Sequence, residues 1–553
     1  MLTGSLPLLR SRPVALQAFG ALLLFGMLAV IHTWPLATAP ASLGRTDNKD
    51  TVLNTWALAW VAHALTTAPS RVLDGNIFHP ERHTLAFSEP VIVPGALSVP
   101  VRAAGADPVL TYNISLLIGY ALSAWAMQWL AWRWTGHYGA SLVAGSLFTF
   151  NAHALVSMGH IQAIHAYGLP LLLVGLDGLI DPAGRRLWHG LLAGAATGLL
   201  ALTSGYLTIF GIVTALIVIA VRARDLLTAP YRPLLVAGLA GAVVAGALVA
   251  PVLRAFVAVR QTHGFERSLD LVAQMSANAS AYAATPARVH QAWAADVYAR
   301  QAPRDSLFPG LIATALAVAG VVVWRPRRTA HVWIGIAIAL TGLLLSFGPA
   351  TPLYRPFYAL VPFASGVRAA SRFGVLWLTG IAVLAAFGTA ALAARRTQRV
   401  ALLVSALALV GVNVEAFRGP VPFVPVTPVS PLYDRLAALP DGVVAEMPFW
   451  WDPIDVPRNA DYMLGATHHW KPLLNGYSGF TPASYRRHAD ALWYFPFRAA
   501  SFDMLRETGV RYVVLHLADY GSQRRDAMTI ISDSGRLRML ERTNDAVLYE
   551  VVH

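Results

Sequence analysis

Long apolar segments alternate with short polar connections over about the first 417 residues of the chain. A helix that crosses the hydrocarbon core of a bilayer needs about 20 predominantly apolar residues. On that basis the pattern predicts about eleven membrane spans, at residues 14–34, 108–132, 139–158, 162–181, 187–203, 205–222, 233–253, 307–324, 330–348, 372–394 and 400–417. The apolar run 187–222 is broken at Ser204-Gly205-Tyr206, so we expect a hairpin there.

The start of the chain also resembles a signal peptide. Arg10 and Arg12 precede an apolar stretch, and small residues surround Ala39 and Ala41. The apolar stretch is longer than the core of a usual signal peptide, which favours a retained first span.

Arginines in the polar connections predict the orientation of the spans. The short connections near Gly159 and Ser204 carry neither Lys nor Arg. The alternate connections carry Arg133, Arg185, Arg186, Arg222, Arg224, Arg325, Arg327, Arg328, Arg395, Arg396 and Arg399. By the positive-inside rule the N-terminus and these arginines are cytoplasmic. An odd number of spans then places the C-terminal region outside, with loop 35–107, loop 254–306 and connection 349–371, so a site on the outer face is expected.

Composition separates a membrane part from a soluble part. The whole chain is 56% hydrophobic and only 13% charged, whereas a soluble domain carries about a quarter charged residues. Residues 431–553 have an ordinary soluble composition, with strand-like runs at 443–447, 511–516 and 547–552 and a helical pattern at 500–508. We therefore expect a mainly α, polytopic transmembrane helical bundle (1–417) with a long first periplasmic loop, followed by a small periplasmic α/β domain (418–553).

Charge and motif content exclude several functions. The net charge is +13, but many arginines lie in short clusters between apolar segments, which argues for membrane orientation and against nucleic-acid binding. The chain has no cysteine, which excludes disulfides, thiolate metal sites and cysteine nucleophiles. No Gly-rich phosphate loop or serine elbow is present, so coupling to nucleotide hydrolysis is not expected.

The first outer loop contains the clearest candidate chemistry. After Asp50 the apolar residues recur at helical spacing, and a Trp pair suits a helix lying in the membrane interface. Asp47 and Asp50 stand where this helix begins, so each could be an N-cap. Either could instead act as a general base or bind a divalent ion. Asn54 follows Asp50 by four residues and could orient it or a substrate hydroxyl.

Further polar residues follow in the same loop. His79 and His83 are four residues apart, but the sequence between them predicts a loop, which disfavours a metal site. Glu89 precedes a proline and an apolar stretch, and is a candidate second carboxylate.

This layout resembles the GT-C superfamily of polytopic membrane glycosyltransferases. The segments Asp50-Thr-Val-Leu-Asn-Thr-Trp-Ala-Leu-Ala-Trp, Asn76-Ile-Phe-His-Pro and Leu85-Ala-Phe-Ser-Glu look like the first loop of little-characterised bacterial members. The layout matches over nearly the whole chain, and the motif match is confined to this loop and a few later patches. In this superfamily a first-loop carboxylate is the catalytic base and the donor is usually a polyprenyl-phosphate sugar.

The resemblance implies catalytic roles by position. The residue that matches by position is Asp50, with Asp47 next, and Glu89 stays a further candidate from its place in the loop. The adjacent acidic pair of better-known members is here Asp47-x-x-Asp50, and the junction 151–165, acidic in oligosaccharyltransferases, contains no acid. A divalent metal (Mg or Mn), bound by Asp47 and Asp50 if present, is therefore a weaker expectation than the base.

Two other patches are candidates for binding the donor phosphate. The junction carries His153, His160, Gln162 and His165, which are either hydrogen-bonded structure or contacts to a sugar or leaving phosphate. Arg368 and Arg372 lie four residues apart at the outer start of a span, where the positive-inside rule predicts no arginine. A pair of guanidiniums there suits a lipid phosphate, and the alternative is a salt bridge or contact with ordinary headgroups.

A stretch of the C-terminal domain combines aromatic, amide and hydroxyl groups, which suits a sugar ring. With Asn54 and His79 as further candidates, the predicted substrate-binding residues here are His468, His469, Trp470, Asn475 and Tyr477. The alternative is a turn-rich surface that docks on the membrane part.

These features favour an inverting glycosyltransferase in the bacterial inner membrane, with a polyprenyl-phosphate sugar donor and a glycan, lipid or protein acceptor. A transporter or flippase of lipid-linked glycans is the alternative, but the central spans contain little charge. A non-catalytic membrane scaffold is a third alternative.

Overall fold

The computed structural model describes residues 12–181, 184–264, 266–323, 330–361 and 363–552. Outside these ranges lie Arg10, from the segment that resembles a signal peptide, and three arginines predicted to be cytoplasmic, Arg325, Arg327 and Arg328. The chain divides into two compact units. Unit 1 comprises 1–39, 114–251 and 265–422, and unit 2 comprises 40–113, 252–264 and 423–553.

Unit 1 is helical over its described residues. Its α-helices, two of which continue into unit 2 (Pro108–Thr135 and Tyr231–His263), are Arg12–His32, Pro108–Thr135, Tyr138–Thr149, Ala152–Val156, Ile161–Ile164, Gly168–Ile180, Arg186–Thr203, Gly205–Val221, Ala223–Thr228, Tyr231–His263, Leu269–Gln274, Gln291–Arg300, Leu311–Val323, Ala330–Ser346, Tyr354–Leu360, Gly374–Ala393 and Gln398–Ala416. Each of the predicted spans overlaps one or more of these helices.

Several of these helices expose apolar surface that only a membrane accommodates. Within the described ranges, six helical segments are long and apolar enough to cross a bilayer. Only 17% of the most apolar part of Tyr231–His263 is buried in the protein, and the same fraction holds for Gln398–Ala416. Exposed apolar faces of this size are rare in soluble proteins. The chain is a multi-pass membrane protein with a helical bundle, as predicted.

The prediction of eleven spans goes beyond these six segments. Gly205–Val221, Leu311–Val323 and Ala330–Ser346 are apolar but shorter, with 17, 13 and 17 residues. Small residues allow close packing among such helices. A side chain on Gly320 or Gly388 would collide with the backbone of the facing helix, so Leu311–Val323 and Gly374–Ala393 pack in direct backbone contact.

Two connections that the sequence predicts to be cytoplasmic meet in unit 1. Arg133 and Arg222 both approach the buried carboxylate of Asp177, Arg133 at 3.9 Å and Arg222 through a hydrogen bond. Asp177 also accepts hydrogen bonds from Trp134 Nε1 at 3.1 Å and from His331 Nε2 at 3.0 Å. The two connections therefore lie at one end of unit 1, as the predicted orientation requires.

Unit 2 contains a mixed four-stranded sheet. Val443–Met447 runs parallel to Val510–His516, which pairs antiparallel with Ala546–Val551, and Leu537–Arg542 completes the sheet on the far side of Ala546–Val551. The three predicted strands and the helix at 500–508 are confirmed, and Leu537–Arg542 is an additional strand. The remaining elements are the two-residue strands Leu43–Gly44 and Val424–Pro425 and the helices Lys49–Thr67, Ile92–Ala103, Leu432–Ala438, Asn459–Ala466, Ala483–Leu492, Ala499–Glu507 and Arg524–Ser534.

The first-loop helix, Lys49–Thr67, lies in the core of unit 2. It packs against Ile92–Ala103 and Asn459–Ala466, and its buried residues include Val52, Trp56 and Leu58. Because these buried positions lie on different sides of the helix, the helix has no broad exposed apolar face that could contact lipid. Protein therefore covers most of its apolar residues, and the position of this helix in the membrane interface stays a prediction.

Candidate functional site

Asp50 lies in the first turn of the first-loop helix, beside Tyr477 of the C-terminal region. The hydroxyl of Tyr477 donates a hydrogen bond of 2.7 Å to Asp50 Oδ1. Asn48 is the N-cap, since its side chain accepts from the backbone N–H of Asp50 at 2.9 Å. The alternative that Asp47 or Asp50 serves as the N-cap is therefore wrong. A carboxylate in the first turn is stabilised by the helix dipole, so Asp50 is placed as an anion that accepts a hydrogen bond.

The residues around Asp50 have different roles. Asp47 is exposed and forms an ion pair of 3.0 Å with Arg45. Lys49 contacts Asp461 at 2.6 Å. Asn54 is buried and its amide donates to the backbone carbonyl of Asp50 at 2.7 Å, which stabilises the first turn. Asp47 is therefore an exposed residue that precedes the helix, whereas Asp50 is partly buried and has a hydroxyl partner.

Backbone pairing within unit 2 holds Tyr477 near the first loop. Phe78 N–H donates to the carbonyl of Asn475 at 3.0 Å, and His79 N–H donates to that of Leu473 at 3.0 Å. Leu473 N–H donates in return to the Asn76 carbonyl at 2.8 Å. Leu473 also bridges Val444 on the edge strand of the sheet. The first loop is thus joined to the sheet by main-chain hydrogen bonds, and Tyr477 follows two residues after this junction.

Asn475 supports this junction from inside the protein. It is fully buried, accepts from the Glu446 N–H at 2.7 Å and donates to the Glu446 carbonyl at 3.0 Å. The prediction that Asn475 binds substrate is wrong, because the strand backbone occupies its amide.

His469 is also an internal residue. Its Nδ1 accepts from the Lys471 N–H at 3.0 Å, and burial, with Lys471 and His468 nearby, lowers its pKa to about 3. The predicted substrate contact of His469 is therefore replaced by a neutral, buried ring. The neighbouring His468 is on the surface, with Nδ1 at 3.0 Å from Asp434.

The remaining candidates of unit 2 have different surroundings. Glu89 is partly buried shortly before helix Ile92–Ala103. His79 and Trp470 line a pocket near the far end of the first-loop helix. About 13 residues separate Asp50 from the pocket residue His63, which corresponds to about 20 Å along the helix axis.

Unit 1 gathers cationic residues around Tyr206. The guanidinium of Arg372 lies 4.6 Å above the Tyr206 ring. The Tyr206 hydroxyl accepts from the backbone N–H groups of Arg368 and Ala369 at 3.1 and 2.9 Å. Arg267 lies within electrostatic range of Arg368. Tyr206 and Arg267 were not singled out as site residues by sequence, although Tyr206 marks the break in the run 187–222.

The histidines of the junction 151–165 do not form one group. His165 is buried, and its Nε2 contacts the Ser115 hydroxyl at 3.2 Å and the Ser115 carbonyl at 3.0 Å. The predicted phosphate contact of His165 is therefore wrong, because helix Pro108–Thr135 surrounds the ring. His153 Nδ1 lies 3.0 Å from the Arg304 carbonyl, within electrostatic range of Arg372 and His160. His160 is partly exposed at the start of Ile161–Ile164 and stays a candidate.

The residues around Asp50 do not fit a metal centre. Asp47 is paired with Arg45, and Asp50 accepts from Tyr477. Among the described residues, no group of three or more His, Cys, Asp or Glu side chains is arranged to hold a metal ion.

Comparison with known proteins gives a match at the level of fold. No family model and no curated protein sequence matches the chain. Among solved structures, the arabinofuranosyltransferase AftD from Mycobacteria superposes with a TM-score of 0.58 at 14% identity, over 98% of this chain and 40% of AftD. The oligosaccharyltransferase AglB from Archaeoglobus fulgidus, in complex with an inhibitory peptide and a dolichol-phosphate, has a TM-score of 0.47 at 14% identity, covering 96% of this chain and 73% of AglB.

A third solved structure is ArnT from Cupriavidus metallidurans, with a TM-score of 0.42 at 14% identity and coverage of 98% of both chains. The AftD superposition carries the fold assignment, and this chain spans less than half of the length of AftD. The fold of this chain, a polytopic helical bundle with a helix in the first loop, is similar to that of the arabinofuranosyltransferase AftD.

Proposed function

We propose that this chain is an inverting membrane glycosyltransferase. It transfers a sugar from a polyprenyl-phosphate donor to an acceptor hydroxyl, with Asp50 as the general base. The observation that carries the proposal is the hydrogen bond from Tyr477 to Asp50 Oδ1, at the start of the first-loop helix of a GT-C fold. A capping role does not account for Asp50, since Asn48 caps the helix.

The reaction requires one base and one leaving group. The acceptor oxygen attacks the anomeric carbon from the face opposite the phosphate. The new C–O bond forms as the bond between the anomeric carbon and the phosphate oxygen breaks. The acceptor proton passes to the Asp50 carboxylate, and polyprenyl phosphate leaves with the bonding electron pair. Tyr477 orients the carboxylate through its hydrogen bond to Oδ1.

We assign phosphate recognition to the arginines of unit 1. The ring of Tyr206 contacts the Arg372 guanidinium, and the hydroxyl of Tyr206 accepts from the backbone N–H of Arg368. Like-charged Arg267 lies nearby, and such a cluster favours an anionic ligand. A lipid-linked phosphate suits a cluster next to apolar helices.

The proposal extends to domains and location. Residues 1–417 form the membrane domain apart from the first outer loop, and residues 418–553 form a soluble domain. Both the first loop and the soluble domain face the periplasm of a bacterium, and the membrane is the inner one. The arginine pattern of the connections supports this orientation.

A reconstituted transfer assay tests the function. The full-length protein in liposomes is supplied with a panel of radiolabelled polyprenyl-phosphate sugars and a membrane extract as acceptor source. We expect transfer by the parent protein and a loss of at least ~10²-fold in the Asp50→Asn variant, which is typical of removing a general base.

Two further variants make the assay specific. Asp533→Asn is the matched control, because Asp533 is exposed on the surface helix Arg524–Ser534. Asp47→Asn tests the neighbouring carboxylate. Full activity of a well-folded Asp50→Asn variant would remove Asp50 from the mechanism. Movement of the labelled lipid across the bilayer without any transfer would favour a flippase.

A further inference from the structure

A pocket of about 380 Å³ lies within unit 2, near the C-terminal end of the first-loop helix. Trp60 and His63 of that helix form one wall, and Trp470 forms another. The third wall is the segment from Asp74 to Arg82. None of the catalytic candidates Asp47, Asp50 and Glu89 lines it.

The aromatic walls are rigidly built. The rings of His63 and Trp470 stack with their centroids 4.1 Å apart and their planes 8° from parallel. Trp60 is tilted by 56° to Trp470 at 6.1 Å, and its indole N–H donates to the Val72 carbonyl at 2.9 Å. The two indoles therefore meet at an angle and form an apolar corner. Such a corner suits the C–H face of a sugar ring.

Polar groups with free hydrogen-bonding capacity surround this corner. Among the described residues, no protein partner is found for the guanidinium of Arg71 or for the ring nitrogens of His79. Burial lowers the pKa of both His63 and His79, in His63 with a smaller contribution from Arg102, so both rings are neutral near pH 7. Neutral imidazoles both donate and accept, as sugar hydroxyls require.

The charges of the pocket balance. Arg71 and Arg82 are opposed by Asp74 and Glu81. Arg82 lies 3.4 Å from Asp74, and Glu81 accepts a hydrogen bond of 2.5 Å from Ser484. A site for a phosphate or a uronate would instead carry an excess of positive charge. The lining therefore favours an uncharged ligand.

The backbone around the pocket adopts conformations that bulky residues rarely take. Trp470 has φ 56°, Phe78 has φ 59° and His83 has φ 55°, all in the left-handed region. Conformations of this kind concentrate at ligand-binding sites. For Trp470 the backbone N–H also donates to the Ala466 carbonyl at 2.8 Å, which holds the indole at the pocket wall.

We propose that this pocket is a distal subsite for a neutral oligosaccharide, which is the acceptor of the transfer reaction. The identification of this ligand as the acceptor rests on the proposed function, whereas the inference that the pocket binds carbohydrate rests on the pocket alone. The first-loop helix separates the pocket from Asp50 by about 20 Å. A glycan of several rings reaches from one to the other, so the acceptor is a chain rather than a monosaccharide.

Binding is measured on the purified full-length protein in nanodiscs by isothermal titration calorimetry. The probes are neutral hexasaccharides of glucose, mannose, galactose, xylose and arabinose, with a hexamer of galacturonate as the charged probe. We expect at least one neutral hexasaccharide to bind, and the galacturonate hexamer not to bind. Trp470→Ala raises the Kd at least about tenfold, and Trp470→Phe, which keeps an aromatic face, restores most of the affinity.

Two controls separate the pocket from general effects on folding. Arg71→Gln changes an exposed side chain and should weaken binding several-fold without affecting the fold. Trp451→Ala removes an aromatic residue of unit 2 that is 41% exposed and outside the pocket, and leaves the Kd unchanged. The proposal is overturned if no neutral hexasaccharide binds, if the charged hexamer binds more tightly, or if Trp470→Ala binds as well as the parent protein.

Asp50→Asn distinguishes this proposal from the proposed function. It should abolish transfer and leave the Kd for the hexasaccharide unchanged. If the parent protein binds a hexasaccharide but has no transferase activity, the proposed function is refuted and the carbohydrate subsite is supported. Conversely, if the KM for the acceptor is the same for short and long acceptors, in the parent protein and in Trp470→Ala alike, the result supports the proposed glycosyltransferase activity and refutes the distal subsite.

Discussion

The Tyr477 hydroxyl lies 2.7 Å from Asp50 Oδ1, although 427 residues separate the two in sequence. Asp50 lies in the first turn of the first-loop helix, and Tyr477 follows the segment that pairs with the first loop at the sheet edge. Because Tyr477 donates, it fixes the orientation of the carboxylate and does not compete with it for a proton. This relationship assigns Tyr477 a positioning role.

Replacing Tyr477 with Phe tests that role. The variant keeps the ring and removes one hydrogen bond to a charged group, which is worth about 1.5–3 kcal/mol. We expect transfer to slow by about tenfold or more, less than in Asp50→Asn, and the thermal unfolding midpoint to fall by no more than the loss of this one bond requires. The measurement is kcat/KM in the reconstituted assay.

Tyr494→Phe is the matched control, since Tyr494 is 40% exposed and packs under Arg498. A loss in Tyr477→Phe greater than that in Asp50→Asn would contradict a positioning role and make Tyr477 itself the reactive group.

Replacing Arg368 and Arg372 together with Gln tests phosphate recognition. Charge-assisted contacts are lost while most of the packing remains, so binding of a polyprenyl-phosphate probe should weaken at least about tenfold. Arg300→Gln, on the exposed end of helix Gln291–Arg300, is the control. If the double variant loses expression in proportion to binding, the pair is structural.

His469 should make the protein sensitive to acid. Its pKa in the folded state is about 3, below the ordinary value of 6.5, mainly because of burial. Between these values the unfolded chain binds a proton that the folded chain does not. The free energy of unfolding therefore falls as pH drops below about 6.5, by up to about 1.4 kcal/mol per pH unit, and no such loss occurs above it.

This dependence is measured as the thermal unfolding midpoint of the full-length protein between pH 7.5 and 5. The His469→Gln variant can still accept the Lys471 N–H and cannot be protonated, so its midpoint should fall less on acidification. Equal slopes for the variant and the parent protein would contradict the assignment.

Topology reporters test the orientation. A reporter fused after Arg399 should be cytoplasmic, and one fused after His553 should be periplasmic. If both ends of the chain map to the cytoplasm, the number of spans is even and the outer face is wrongly assigned.

The sequence predicts those features that depend on local pattern. The strand Val443–Met447 was predicted to the residue, because a five-residue run that begins with two valines is too short for a typical helix and favours a strand. The first-loop helix was predicted, but its surroundings were not. The helix packs against Asn459–Ala466, which follows about 400 residues later in the chain, and a local sequence pattern does not predict such a long-range contact.

The candidate site was predictable as a set of residues but not as an arrangement. Asp50 and Tyr477 were both named, yet their hydrogen bond depends on the pairing of two distant segments. Asn475 was wrongly assigned to substrate because an asparagine that hydrogen-bonds a neighbouring strand has the same sequence signature as one that binds a sugar. His165 was wrongly assigned for a similar reason, since Ser115 lies on another helix.

The junction between the first loop and the sheet edge sets an order of events during synthesis. The Asn76 amide donates to the carbonyl of Lys471, 395 residues later. At about 5–20 residues per second, a ribosome makes that second segment roughly 20–80 s after the first. The first loop is therefore synthesised long before its partner exists. Until then the backbone groups of residues 76–79 and the Asn76 amide lack the hydrogen bonds that they make to residues 471–475 in the folded protein.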